Sequence, residues 1–203
     1  MFVFGHVGLT LAGAVLVHGL LSHQSPIAIS DNVAQTAPAN SPAKSFFSGF
    51  TWFASLGRYI DLRILIVGAM FPDIIDKPLG ILGFGNGRSI THTLLITFIV
   101  LFIGIILHKR IPMTAVLALA IGMASHLVLD EMWMTQRTFF WPLWGWTFPS
   151  EGTRGWLDNW LVELTGNWQI IISEISGLAI IIFFVMVLIS RKRLFSFLNR
   201  GQC

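Results

Sequence analysis

The chain has 203 residues, of which 54% are hydrophobic and only 11% charged, and its formal net charge is +3. Soluble domains carry roughly 25% charged residues, so the composition excludes an ordinary water-soluble domain and points to an integral membrane protein. The one cysteine, Cys203, excludes a disulfide within these residues and a cysteine-based metal site. The basic excess does not imply nucleic acid as a partner, because its placement follows the membrane.

A spanning helix needs roughly 20 mostly apolar residues. Residues 1–22 carry no Lys, Arg, Asp or Glu and read as a retained first helix. A cleaved signal peptide is the alternative, but the basic n-region and a small-residue cleavage site are missing. Residues 23–45, rich in Ser, Ala, Pro, Asn and Gln, read as a flexible linker. Residues 46–56 are apolar and aromatic enough to lie along the interface. A short second span is expected from Leu56 to Phe71, with Arg58, Asp61 and Arg63 crowding its start. The third runs from Ser89 to His108, the fourth from Ile111 to Trp133 and the fifth from Trp168 to Ser190. Glu174, inside the fifth, reads as a protonated or paired structural acid. Residues 133–168 hold seven of the eight tryptophans. They form a Trp-rich outer loop, either an anchoring belt or a wall around a lipid headgroup. The expected fold is all-α: a single membrane domain over 1–203, a polytopic bundle of about five hydrophobic helices.

Basic residues set the orientation. Lys109 and Arg110 join spans three and four, while Arg191, Lys192, Arg193 and Arg200 follow span five. Two crossings separate these groups, so both lie on one face, which is cytoplasmic. Lys44, Arg58 and Arg63 fall there too, leaving Lys77, Arg88, Arg137 and Arg154 opposite. The N-terminus is then outside and the C-terminus cytoplasmic.

Ionisable residues within or beside spans are costly and mark function. His6 stands near the start of span one, Asp73 and Asp76 end span two, Arg88 and His92 open span three, and His126 and Asp130 close span four. On this topology all the His and Asp residues among them reach the outer face, although the orientation came from Lys and Arg alone. His126 and Asp130 are four apart and share a helix face. Imidazoles and carboxylates suit zinc, manganese or iron. The number of donors allows one ion or two, with an Asp bridging. His18, His23 and His108 fall away from this cluster. The glycines of residues 80–87 read as a flexible loop, since no Gly-Lys-Ser/Thr ending follows.

Three strings carry a resemblance: PDIIDKPLG at 72–80, GRSITHTLL at 87–95 and SHLVLDEMW at 125–133. Their order resembles the YdjM-like family of membrane-bound metal-dependent hydrolases, and more distantly the all-helical zinc-dependent phospholipases C. The resemblance implies His6, Asp73, His92, His126 and Asp130 as metal ligands. The two acids of the first string stand three apart instead of the usual two, which leaves open which of them binds metal. The other becomes a general base or orients a ligand histidine. Arg88 either clamps an anionic phosphate or anchors at the interface.

The expected function is hydrolysis of a phospholipid or another lipid phosphate at the outer face, dependent on a divalent metal, foremost zinc, with catalytic parts for Asp76 and Arg88. Lipid or another amphiphile is the expected partner. Two rival readings are metal transport and a metal that only holds helices together.

Overall fold

The computed structural model describes residues 3–23, 60–83, 85–111, 113–149, 162 and 166–201. The expected linker beyond His23, the stretch 46–56, most of 150–165, and Lys44, Arg58, Arg154 and Cys203 lie outside the described residues. Among the described residues every regular element is helical. They are α1 (Val3–His23), α2 (Leu62–Ile81), a 3-10 turn (Ile90–His92), α3 (Leu94–Arg110), α4 (Ala115–Leu129), a second 3-10 turn (Met132–Met134), α5 (Gln136–Phe139), α6 (Trp168–Ser190) and α7 (Leu194–Arg200).

Side-chain caps set several helix starts. Asp61 accepts from the Arg63 amide at 3.0 Å, Thr93 from Ile96 at 3.2 Å and Asn167 from Gln169 at 3.1 Å. Each takes one of the orphan amides of a first turn. Helix α6 has the bounds expected of the fifth span. Helix α2 begins later and ends later than the second span, running through Pro72, Asp73, Asp76 and Pro78. It continues beyond the apolar stretch because both acids turn inward and are buried. The Thr93 cap starts α3 after His92 and leaves His92 on the preceding turn. Helix α4 stops at Asp130, and Glu131 follows in the left-handed region at φ 50°.

The helices alternate in direction. Phe4 and Gly5 meet Glu174 while Leu11 and Val15 share a cluster with Phe184 and Leu188, so α1 runs parallel to α6. Gly68 faces Leu119 and Gly122, and the Ala69 carbonyl meets His126, so α2 runs parallel to α4. Gly104 packs on Leu117 while His92 meets His126, so α3 opposes α4. Glycines allow the closest crossings. A Cβ on Gly8 would strike the Gly177 backbone, and a Cβ on Gly122 would strike Leu65 and Ala69. Small residues at helix crossings are the usual means by which membrane helices approach.

The pattern of burial is inverted relative to a soluble protein. Phe98 and Phe102 on α3 are 56% and 65% exposed, and Ile172 and Ile175 on α6 are also exposed. His6, Asp73, Asp76, His92 and His126 are buried. Large exposed apolar surfaces of this kind need lipid or protein against them. By length and composition one described helix, α6, is long and apolar enough to cross a membrane, while Val3–His18 and Ala115–Leu129 are shorter apolar stretches. Five such spans were expected. Helix α3 has 17 residues, α4 has 15, and α2 carries charges and prolines, which is why they fall short of that test. Leu11, Val15, Leu62, Leu65, Phe184 and Leu188 form an apolar core. Every polar group described next lies at the other end of the bundle.

Candidate metal centre

His6 sits at the end of the first turn of α1, and that turn is held from outside its own helix. The Glu174 carboxylate of α6 accepts the Phe4 and Gly5 amides, each at 3.0 Å. These are orphan donors of a helix start, where a negative charge also meets the positive end of the dipole.

The turn 89–92 folds back over α2 and is stitched to it. Asp76 Oδ2 accepts the amides of Ser89 at 2.8 Å, Thr91 at 3.1 Å and His92 at 3.2 Å. Thr91 Oγ1 donates to the Pro72 carbonyl at 3.1 Å. Asp76 is fully buried, and its Oδ2 also lies 2.8 Å from His92 Nδ1.

Two ring assignments follow. A carboxylate accepting three amides accepts a fourth hydrogen bond from His92 Nδ1, so that nitrogen carries the proton. His126 Nδ1 lies 2.7 Å from the Ala69 carbonyl oxygen, which can only accept, so it too is protonated. In their neutral forms both rings would present bare Nε2 atoms. Those atoms face each other across 3.2 Å. Two lone pairs at that distance would repel, and a proton or a metal ion within reach of both relieves the repulsion. Donating the other ring N–H to a carboxylate or a carbonyl is the usual posture of a metal-ligating histidine.

Carboxylates complete the donor set. Asp73 Oδ1 lies 3.5 Å from His92 Nε2 and 3.8 Å from His126 Nε2. Asp130 Oδ1 lies 3.1 Å from His6 Nε2, and its Oδ2 lies 3.9 Å from His126 Nε2. The His6 and His126 rings stack at 4.2 Å. Two groups can hold a metal ion: His6, His126 and Asp130, and Asp73, His92 and His126. His126 belongs to both, and its one free lone pair can serve one ion only. The donors thus fit a single nitrogen/oxygen-ligated divalent ion better than two complete sites.

Residues 1–197 match the model of a protein family described as YdjM inner membrane protein. The chain belongs to the YdjM family. No curated protein and no solved structure matches it. Membership places this YdjM protein in a lipid bilayer, in keeping with its apolar exterior.

The structure brings all five expected ligands together and sets the two remaining site candidates apart from them. Asp76 stands behind His92, turned to the backbone of the turn. Arg88 is at the rim, with Nη2 3.1 Å from Asp130 Oδ2 and its side chain 42% exposed. Lys77, counted in the sequence only as an outer positive charge, is a second rim cation. Its Nζ lies 2.6 Å from Asp73 Oδ2. The four-residue spacing from Asp73 to Lys77 was the available signal. Each rim cation thus holds one oxygen of a carboxylate whose other oxygen faces a histidine. Glu174 is a paired structural acid whose partners are backbone amides, which carry no sequence signature. His18 and His108 belong to neither donor group.

Proposed function

We propose that this YdjM family protein is a multi-pass membrane hydrolase that uses one divalent metal ion to cleave a phospholipid or another lipid phosphate at the non-cytoplasmic face. The observation that carries the reading is the pair of histidine Nε2 atoms facing each other at 3.2 Å beside Asp73 and Asp130. Zinc suits the donors best, with manganese and iron as alternatives. Helices α1, α2, α3, α4 and α6 cross the bilayer in alternation. The site lies where α1, α3 and α6 begin and where α2 and α4 end. Arg63, Lys109, Arg110 and Arg191–Arg193 lie at the opposite end, which the positive-inside rule makes cytoplasmic.

A bound divalent ion would supply Lewis acidity and lower the pKa of water from 15.7 towards ~7. This chain's residues supply the rest. Asp76 and the Ala69 carbonyl fix the tautomers of His92 and His126. Glu174 fixes the height of His6. Lys77 and Arg88 are half-exposed cations already paired with oxygens of Asp73 and Asp130. With Asp73 and Asp130 holding an ion, both cations would be available to an incoming phosphate, for which guanidinium geometry is well matched. Among the described residues the core cluster away from the site, Leu11, Val15, Leu62, Leu65, Phe184 and Leu188, holds no ionisable group, which argues against transport.

The test is metal analysis of purified protein together with turnover on a panel of lipid phosphates, repeated for His126→Ala and Asp130→Ala. Metal-dependent release of phosphate or a phosphorylated headgroup, lost in both variants, is the expected outcome. Metal retained without turnover on any lipid phosphate would leave a structural ion and remove the hydrolase reading.

A further inference from the structure

The segment that follows Asp130 is exposed, apolar and non-helical for most of its length, and it is fastened to the rim of the site. Leu143, Trp144 and Trp146 are 82%, 53% and 78% exposed, and Trp133 and Met134 are exposed too. The loop is nonetheless ordered from within. Trp141 stacks on Phe148 at 5.4 Å and meets Trp146 edge-on, and Phe140 packs edge-on against Trp144 at 4.8 Å. Tight turns close through Leu143 N to Phe140 O at 2.8 Å and Gly145 N to Pro142 O at 3.2 Å. The exposed rings are therefore presented outward by a built scaffold.

Two contacts join this scaffold to the metal centre. Helix α5 packs on the Ile90–His92 turn, with Thr138 buried between them. Gly85 lies between loop and turn, where a Cβ would touch Ser89 at 3.6 Å and Phe148 at 3.7 Å. Ser89 donates its amide to Asp76, and its neighbour Arg88 reaches Asp130.

We propose that residues 140–148 form a membrane-inserting surface at headgroup level, on which phospholipids of the non-cytoplasmic leaflet dock beside the metal centre. The depth follows from the backbone. A non-helical segment cannot face hydrocarbon, because its unpaired amides and carbonyls would lose water. Indole rings favour the headgroup zone, where an apolar body and a polar N–H both find partners. Lipid is the fitting occupant on charge as well. Arg137 on α5, which leads into the loop, is exposed, and Arg88 at the site rim has its side chain 42% exposed, and both complement lipid phosphates. The inference deepens the lipid-phosphate reading and rests on it for the substrate, though not for the insertion itself.

The test is a depth measurement in nanodiscs of phosphatidylcholine and phosphatidylglycerol. In a Cys203→Ser background, Trp144→Cys and Trp146→Cys are each labelled with an environment-sensitive fluorophore. Iodide probes exposure to water, and lipids brominated near the top or the end of the acyl chain probe depth. Both labels should be several-fold less quenched by iodide than the free dye, and quenched more by shallow bromines than by deep ones. Iodide quenching equal to that of the free dye, with no effect of bromolipid at either site, would overturn the proposal. Two label sites keep the test open if one variant fails to fold. Metal content and turnover are read on the same samples, so failure of the hydrolase reading would show separately, as insertion without turnover.

Discussion

Asp76→Asn separates an orienting carboxylate from a reactive one. Asp76 receives three backbone amides and the Nδ1 proton of His92, all within 3.2 Å of Oδ2. Asparagine has the same shape but one acceptor oxygen, and its amide group turns donors towards donors. His92 then loses its fixed tautomer, and its Nε2 no longer stands bare beside His126. Loss of such an orienting partner typically weakens metal binding 10- to 100-fold. That is about 1.4 to 2.7 kcal/mol of binding free energy. Stability should fall by a comparable amount, about 1.5 to 3 kcal/mol for a hydrogen bond to a charged group. Alanine is the poorer probe, since stranding several buried amides at ~1 to 3 kcal/mol each would prevent folding. The assay is competition for zinc against a chromophoric chelator, with near-ultraviolet circular dichroism and thermal melting as controls of fold. A folded Asp76→Asn protein that binds zinc within about twofold of the parent would refute the orienting role.

Three further outcomes follow from the same geometry. Because His126 offers one lone pair to both donor groups, the loaded protein should hold one equivalent of metal, and His126→Ala should hold none; two equivalents in the parent would refute the shared-ligand reading. Gly177→Val should destabilise by about 1 to 3 kcal/mol or more through collision with the α1 backbone, and weaken zinc binding through His6. Gly13→Ala, on α1 with nothing among the described residues within 4 Å, should be neutral or mildly stabilising, and equal thermal shifts for the two would remove the argument. At the end of the bundle opposite the candidate metal centre, burial raises the Asp61 carboxyl, but hydrogen bonds from the Arg63 side chain and amide outweigh it and hold it below its ordinary value. A depressed carboxyl stabilises fully above the unfolded value of 3.8 and loses that contribution as pH falls through the folded one. Arg63 also donates to the Leu198 carbonyl at 2.8 Å. Amide protection of α7 should therefore persist at neutral pH and fall only below the usual carboxylate range, whereas Asp61→Asn should show reduced protection throughout. Hydrogen exchange read by mass spectrometry checks this, and unchanged protection in Asp61→Asn would sink it.

How much of this was legible in the sequence depended on whether a residue's partner was a side chain or a backbone atom. His6, Asp73, His92, His126 and Asp130 could be gathered because an up-and-down chain brings alternate helix ends to one face, and Lys and Arg mark the other. Helix α6 was legible to the residue, since a long apolar run bounded by Asn167 and Arg191 leaves little room for another reading. Asp73 and Asp76 could not be told apart. They stand three residues apart on one helix, and what divides them is the turn 89–92, whose amides arrive at Asp76 from thirteen or more residues away. The same holds for Glu174, which meets two amides 169 and 170 residues distant, and for His126, steadied by the Ala69 carbonyl. Amides and carbonyls belong to every residue, so no composition or spacing announces which of them will be used. The consequence reaches the chemistry. The strings PDIID, SITH and SHLVLD supply the donor atoms and contain Asp76 and the 89–92 amides, but nothing in their spelling shows that these meet, and the Ala69 carbonyl that holds His126 Nδ1 lies outside them. A protein with the same motifs and a different 89–92 turn would keep the ligands and lose the protonation pattern that suits them to a metal ion.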